Sequence, residues 1–151
     1  MYVRAHLVGA SGGIRLAQLL ADDPWTDGAI DDLPGELAEE VDFAKRWAGS
    51  NSRLSELWTY PLFGATALGG RALGLVRPLH GAVRRAIALE AMRSLVLAKK
   101  AMWELGLALH TDDGHIRRQI ARFDEQADRQ AGQLKSLHRI SVREAFGTTT
   151  P

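Results

Sequence analysis

Few side chains in this sequence stand at spacings that could do chemistry, and those spacings exclude more than they offer. A di-iron carboxylate site in a helical protein needs Glu-x-x-His on two helices, so that both ligands project inward. No glutamate here has a histidine three residues on, and no histidine is followed by glutamate, which also removes the His-Glu-x-x-His metalloprotease pattern. Cysteine is absent, and with it disulfides, thiolate nucleophiles, zinc-thiolate sites and iron–sulfur clusters. His110, Asp112, Asp113 and His115 gather around one turn and have metal-binding atoms, but a solvated helix-capping turn uses the same residue types. No metal and no cofactor is therefore expected.

Asp23, Asp27, Gly28 and Asp31 follow the spacing of an EF-hand loop, in which aspartates supply hard oxygens and a glycine makes the turn. Trp25 stands where a second carboxylate belongs and Pro34 where the bidentate glutamate belongs, so the loop reads instead as a cap. Asp31 or Asp32 would start the next helix, with Pro34 in its first turn and Glu36, Glu39 and Glu40 placed for its dipole. The run Gly9-Ala10-Ser11-Gly12-Gly13 looks like the opening of a dehydrogenase phosphate loop, but Arg15 replaces its last glycine and no alternation of strands and helices follows. That run reads as a flexible N-terminus, residues 1–13, ahead of a short helix from Ile14 to Leu20.

The remaining candidates are charges. Glu90 and Arg93 are the pair a helical enzyme working with arginine and carboxylate would use, but a solvated strip between packing faces is the favoured account of them. Residues 1–64 carry 5 Lys/Arg against 10 Asp/Glu, and residues 65–151 carry 14 against 8, so a net charge of +1 conceals oppositely charged halves. Attraction between those halves, within one fold or across a dimer, is the first expectation. A basic face for RNA, DNA or an anionic membrane is the second, with Arg84, Arg85, Arg117, Arg118 and Arg122 as the anion-binding set.

The elements that must position these residues are helical. Gly81 to His110 has no proline, and its apolar residues fall on two stripes: Ile87, Ala91, Leu95, Ala98, Met102, Leu105 and Leu109, and Leu89, Met92, Val96, Trp103 and Leu107. Two stripes predict a long central helix packed on two sides. A second helix is expected from Pro34 to Trp47, and a short one around Leu54 to Trp58. The apolar segment 57–76 reads as a buried helix with a Gly70/Gly74 pair for close approach, and 57–85 as the place for peripheral membrane contact. After the turn at Thr111–Gly114, Ile116, Ile120, Phe123, Ala127, Ala131, Leu134 and Leu137 form one narrow stripe. Its near-heptad spacing suits a seam with another chain.

The sequence thus predicts an all-α, single-domain bundle of about five helices over residues 1–147, with 148–151 as a disordered tail. The functional expectation is a non-enzymatic interaction or assembly protein, cytoplasmic, self-associating through Ile116, Ile120, Phe123, Ala127, Leu134 and Leu137. Binding of an anionic partner, nucleic acid or membrane surface, through the basic C-terminal half is the alternative. A small-ligand binder or enzyme with a pocket inside the bundle is the third reading, because apolar pockets leave no motif; no particular small molecule is predicted.

Overall fold

The computed structural model describes residues 2–50, 81–110 and 114–147. Among them are four α-helices rather than the expected five: α1 (Tyr2–Ala21), α2 (Leu33–Ser50), α3 (Gly81–Leu109) and α4 (His115–Phe146), with a 3-10 turn at Pro24–Thr26 and no strand. The all-α class is as the periodicities require. The helix expected at Leu54–Trp58, the segment 57–76, Asp112, Asp113 and the tail 148–151 lie outside the described residues.

The frame is the hairpin of α3 and α4, antiparallel and in register along its whole length. At one end the Ser141 hydroxyl donates to the Ala82 carbonyl at 3.0 Å. At the other the Arg117 guanidinium donates to the carbonyls of Leu107 at 2.8 Å and His110 at 2.5 Å. A helix leaves its last carbonyls without intrahelical partners, so Arg117, from the first turn of α4, caps the end of α3.

Helix α1 differs from expectation, since it begins at Tyr2 and carries the glycine run inside it rather than in a flexible N-terminus. The physical reason is tertiary: Leu16, Ala17 and Leu20 of this helix are buried in the core, and that burial outweighs the low helix propensity of its glycines. Between α1 and α2 the chain reverses through Asp27 and Gly28, both in the left-handed region at φ 48° and 73°. Asp23 caps the 3-10 turn, its carboxylate accepting from the Trp25 backbone N–H at 3.0 Å, and Thr26 Oγ1 donates to the Asp23 carbonyl at 2.8 Å. The aspartates of the apparent calcium loop are therefore turn-makers, and Asp23 also pairs with Arg85.

The core lies where the four helices meet. Leu16 and Leu20 come from α1, Leu37 and Trp47 from α2, Leu89, Met92, Val96 and Trp103 from α3, and Ile120, Phe123, Ala127 and Leu134 from α4. Of the two stripes on α3, the second is the core stripe, while in the first Ala91, Leu95 and Met102 pack against the core and Ile87, Leu105 and Leu109 stand exposed.

Candidate functional site

Helix α2 presents Leu33, Leu37 and Trp47 to the core, and the same 3.6-residue period brings Glu36 and Glu40 inward beside them. Opposite them, Lys99 and Trp103 stand one turn apart on α3, and Gln126 and Gln130 one turn apart on α4. The result is a polar seam through an otherwise apolar core. Glu40 is only 2% exposed, and Lys99 Nζ lies 2.7 Å from its Oε2. The same carboxylate accepts from Trp103 Nε1 at 3.2 Å, Gln126 Nε2 at 2.8 Å and Gln130 Nε2 at 3.3 Å. Lys99 also donates to Gln130 Oε1 at 2.5 Å, and Gln130 donates onward to Glu36 at 2.7 Å.

Burial lowers the Lys99 pKa below the usual 10.5, with the Glu40 carboxylate opposing that shift. The attraction to Glu40 therefore offsets the loss of hydration only in part. What this group can do is fix three helices in one relative register, since only one arrangement satisfies every donor around Glu40. Its carboxylate is shut away from solvent, and neither of the two surface clefts described below touches Glu40 or Lys99. Sequence reasoning missed it. The available signal was Gln126 and Gln130 flanking Ala127 on the apolar stripe of α4, and Glu40 one turn from Leu37.

Beside the seam is an aromatic cluster of Phe43, Trp47, Trp103 and Phe123, with Phe43–Phe123 centroids 5.1 Å apart and Trp103–Phe123 5.2 Å. Trp47 Nε1 donates to His110 Nε2 at 3.1 Å, so this histidine is engaged with the cluster. Among the described residues, no three His, Asp or Glu side chains converge as metal ligands.

The five arginines of the anion-binding set do not share a face. Arg85 is held by Asp23 and Glu144, each at 3.2 Å, with its guanidinium 4.4 Å from the Trp25 ring centroid. Arg117 is the cap of α3, and Arg122 pairs with Glu39 at 2.5 Å. Arg118 is exposed and has an interaction of its own, and Arg84 is exposed at the start of α3. The charge asymmetry between the halves is used internally: Asp23–Arg85, Glu36–Arg129, Glu39–Arg122 and Glu40–Lys99 each join the acidic half to the basic half. Glu90 is exposed, Arg93 is half-buried with its Nε lacking a partner among the described residues, and neither lines the two clefts described below.

The predicted seam also faces inward. Ile120, Phe123, Ala127 and Leu134 are buried in the chain's own core, Leu137 packs against it, and only Ile116 at the end stands exposed. A stripe used by α1, α2 and α3 is not free for a second chain. Near-heptad spacing could not separate the two uses, because a docked helix and an intermolecular seam need the same pattern.

Among the described residues, two clefts on the surface stand out. One of about 320 Å³ lies between the end of α1 and the start of α3, lined by Leu19, Asp22, Asp23, Arg84 and Arg85. Another of about 440 Å³ lies between α2 and α4 over Phe43, Trp47, Ile116 and Phe123. Neither gathers unpartnered buried polar groups.

The outward side of α3 is different. Its exposed residues include Ile87 (37%), Leu97 (43%), Leu105 (48%) and Leu109 (44%), with Ser94, Ala101 and Ala108 exposed and Ala91 and Ala98 half-buried between them. This is a largely apolar face running the length of α3, with Ala91 packed against the core and with Glu90 and Glu104 exposed in line with Leu97, two turns to either side. None of the described helices is long and apolar enough to cross a membrane. Compared with known proteins, the chain matches no family model, no curated protein and no solved structure, so its site is read from its own geometry.

Proposed function

We propose that this chain is a non-enzymatic helical interaction protein whose working surface is the outward face of α3. One observation carries the reading: large apolar side chains, Ile87, Leu97, Leu105 and Leu109, stand exposed along one face of a helix whose opposite face is the core. Contiguous exposed apolar area of this kind marks a contact surface, whereas scattered apolar residues do not. The expected association surface thus moves from α4, whose stripe is used inside the chain, to α3. The anion-binding alternative has less support, since Arg85, Arg117 and Arg122 already serve intramolecular partners. An enzymatic reading would need a pocket with convergent polar groups, and the polar groups that converge here are closed off in the core.

The test is native mass spectrometry of protein purified from its own host. The wild type should run as a defined complex without a small molecule, and Leu97→Asp with Leu105→Asp should run at the single-chain mass with helical circular dichroism retained. A wild type that stays at 16.5 kDa and carries a reproducible small extra mass would overturn the reading and turn attention to the clefts.

A further inference from the structure

The outward side of α4 changes character along its length. Up to Arg129 its charges are of both signs and engaged: Arg122 pairs with Glu39, Arg129 with Glu36, and Asp124 and Asp128 with Lys100. Beyond Arg129 this stops. Residues 132–146 hold one acid, Glu144, whose carboxylate is already taken by Arg85 and the Trp25 N–H. Lys135, Arg139 and Arg143 follow one another at four-residue intervals, are exposed, and have no side-chain partner among the described residues. At about 100° per residue these three and Phe146 fall within a sector of about 80°, with Ile140 beside it. Phe146 is 68% exposed and Ile140 48%, while Leu134 and Ser141 on the opposite side are buried. On α3, at the level set by the Ser141–Ala82 and Lys100–Asp128 contacts, Glu90 and Arg93 carry opposite charges and leave the balance unchanged.

We propose that this end of α4 is a docking surface for an anionic lipid bilayer. The argument is charge complementarity joined to exposed apolar side chains. The helix dipole accounts for one cation in the last turn, Arg143, but its influence fades within that turn and does not reach Arg139 or Lys135. Like charges at four-residue spacing repel one another, and a layer of anionic headgroups relieves that repulsion.

The apolar residues decide between the two polyanions such a face could meet. A nucleic-acid backbone rewards the cations but not Ile140. A bilayer rewards both, with the cations at the headgroups and Ile140 and Phe146 at the acyl boundary. From Lys135 to Phe146 the surface is about 17 Å long, with the helix lying along the membrane plane. It shares no residue with the outward face of α3, so it stands or falls independently of the functional reading above.

The test is flotation of the whole chain with phosphatidylcholine vesicles containing about 30% phosphatidylserine, against phosphatidylcholine alone. The wild type should bind the anionic vesicles, stay off the neutral ones, and lose binding as salt rises from about 50 to about 500 mM. One cation near the surface is worth about a fivefold change in partitioning, so Arg139→Ala with Arg143→Ala should weaken binding about 25-fold. Phe146→Ser should weaken it about tenfold and leave the salt dependence as it was. Arg46→Ala with Arg84→Ala removes the same charge from exposed sites on α2 and α3 and should cost much less. Equal losses for the two double variants would assign the binding to net charge and overturn the surface, as would no flotation of the wild type at low salt. Binding of a single-stranded oligonucleotide that needs Arg139 and Arg143 but ignores Phe146→Ser, without flotation, would overturn the bilayer as occupant. All these substitutions are at exposed positions, and helical circular dichroism of each variant separates lost binding from lost folding.

Discussion

At the scale of single residues the costly feature is Glu40–Lys99. Removing one partner of a buried pair leaves the other charge without compensation, so Lys99→Met should destabilise the chain by about 3–5 kcal/mol in urea unfolding. Glu40→Leu with Lys99→Met removes both charges and should recover most of that loss. A double variant no better than the single one would mean that the surrounding Gln126, Gln130 and Trp103 N–H groups need the carboxylate itself. The sign of the pH dependence follows from the lowered Lys99 pKa. In the window between its folded value and 10.5 the unfolded chain binds more protons, so this group's contribution rises with pH. Wild type should therefore gain stability relative to Lys99→Met on the alkaline side of neutrality. Lys100 behaves oppositely: hydrogen bonding to Glu104 raises its pKa, and its contribution is lost only as pH climbs through that raised value.

At the scale of elements, two glycines in helices give contrasting expectations. Gly132 on α4 is exposed with nothing within 4 Å of an added Cβ, so Gly132→Ala should stabilise by about 1 kcal/mol through propensity alone. A Cβ added at Gly106 on α3 would stand 3.0 Å from Trp47 Cη2 and 3.3 Å from Ile120, so Gly106→Ala should cost about 1 kcal/mol despite the same gain in propensity. Equal thermal shifts for the two would contradict the close packing of α2 and α4 against α3. Arg117 joins two elements, closing the end of α3 from the start of α4. Arg117→Ala should cost about 1 kcal/mol and raise amide hydrogen exchange near Leu107 to His110, leaving the middle of α3 unchanged.

At the scale of the whole molecule, the oppositely charged halves find each other within one chain, and the apolar face that remains points outward on α3. Association that binds only the folded state makes the melting temperature depend on concentration. Thermal unfolding of the wild type should shift upward over a hundredfold range of protein concentration, and Leu97→Asp with Leu105→Asp should abolish the shift. The same dependence in both proteins would place association elsewhere, for example at the exposed Ile140 and Phe146 of α4.

The sequence by itself determined the helical class, the long α3 and the start of α2 near Pro34, because periodicity and caps are local properties. It also determined that α3 has two apolar stripes and α4 one. Which stripe meets which neighbour is a property of the assembled helices, so only the tertiary structure decided that the α4 stripe is core and that Ile87, Leu105 and Leu109 of the first α3 stripe stand exposed. The glycine run of α1 misled for the same reason: its propensity favours a loop, and the burial of Leu16, Ala17 and Leu20 of the same helix overrides it. The polar seam was legible only in part. Glu40, Lys99, Gln126 and Gln130 come from three helices and are separated by up to 90 positions, and no local pattern shows that they share one point in space.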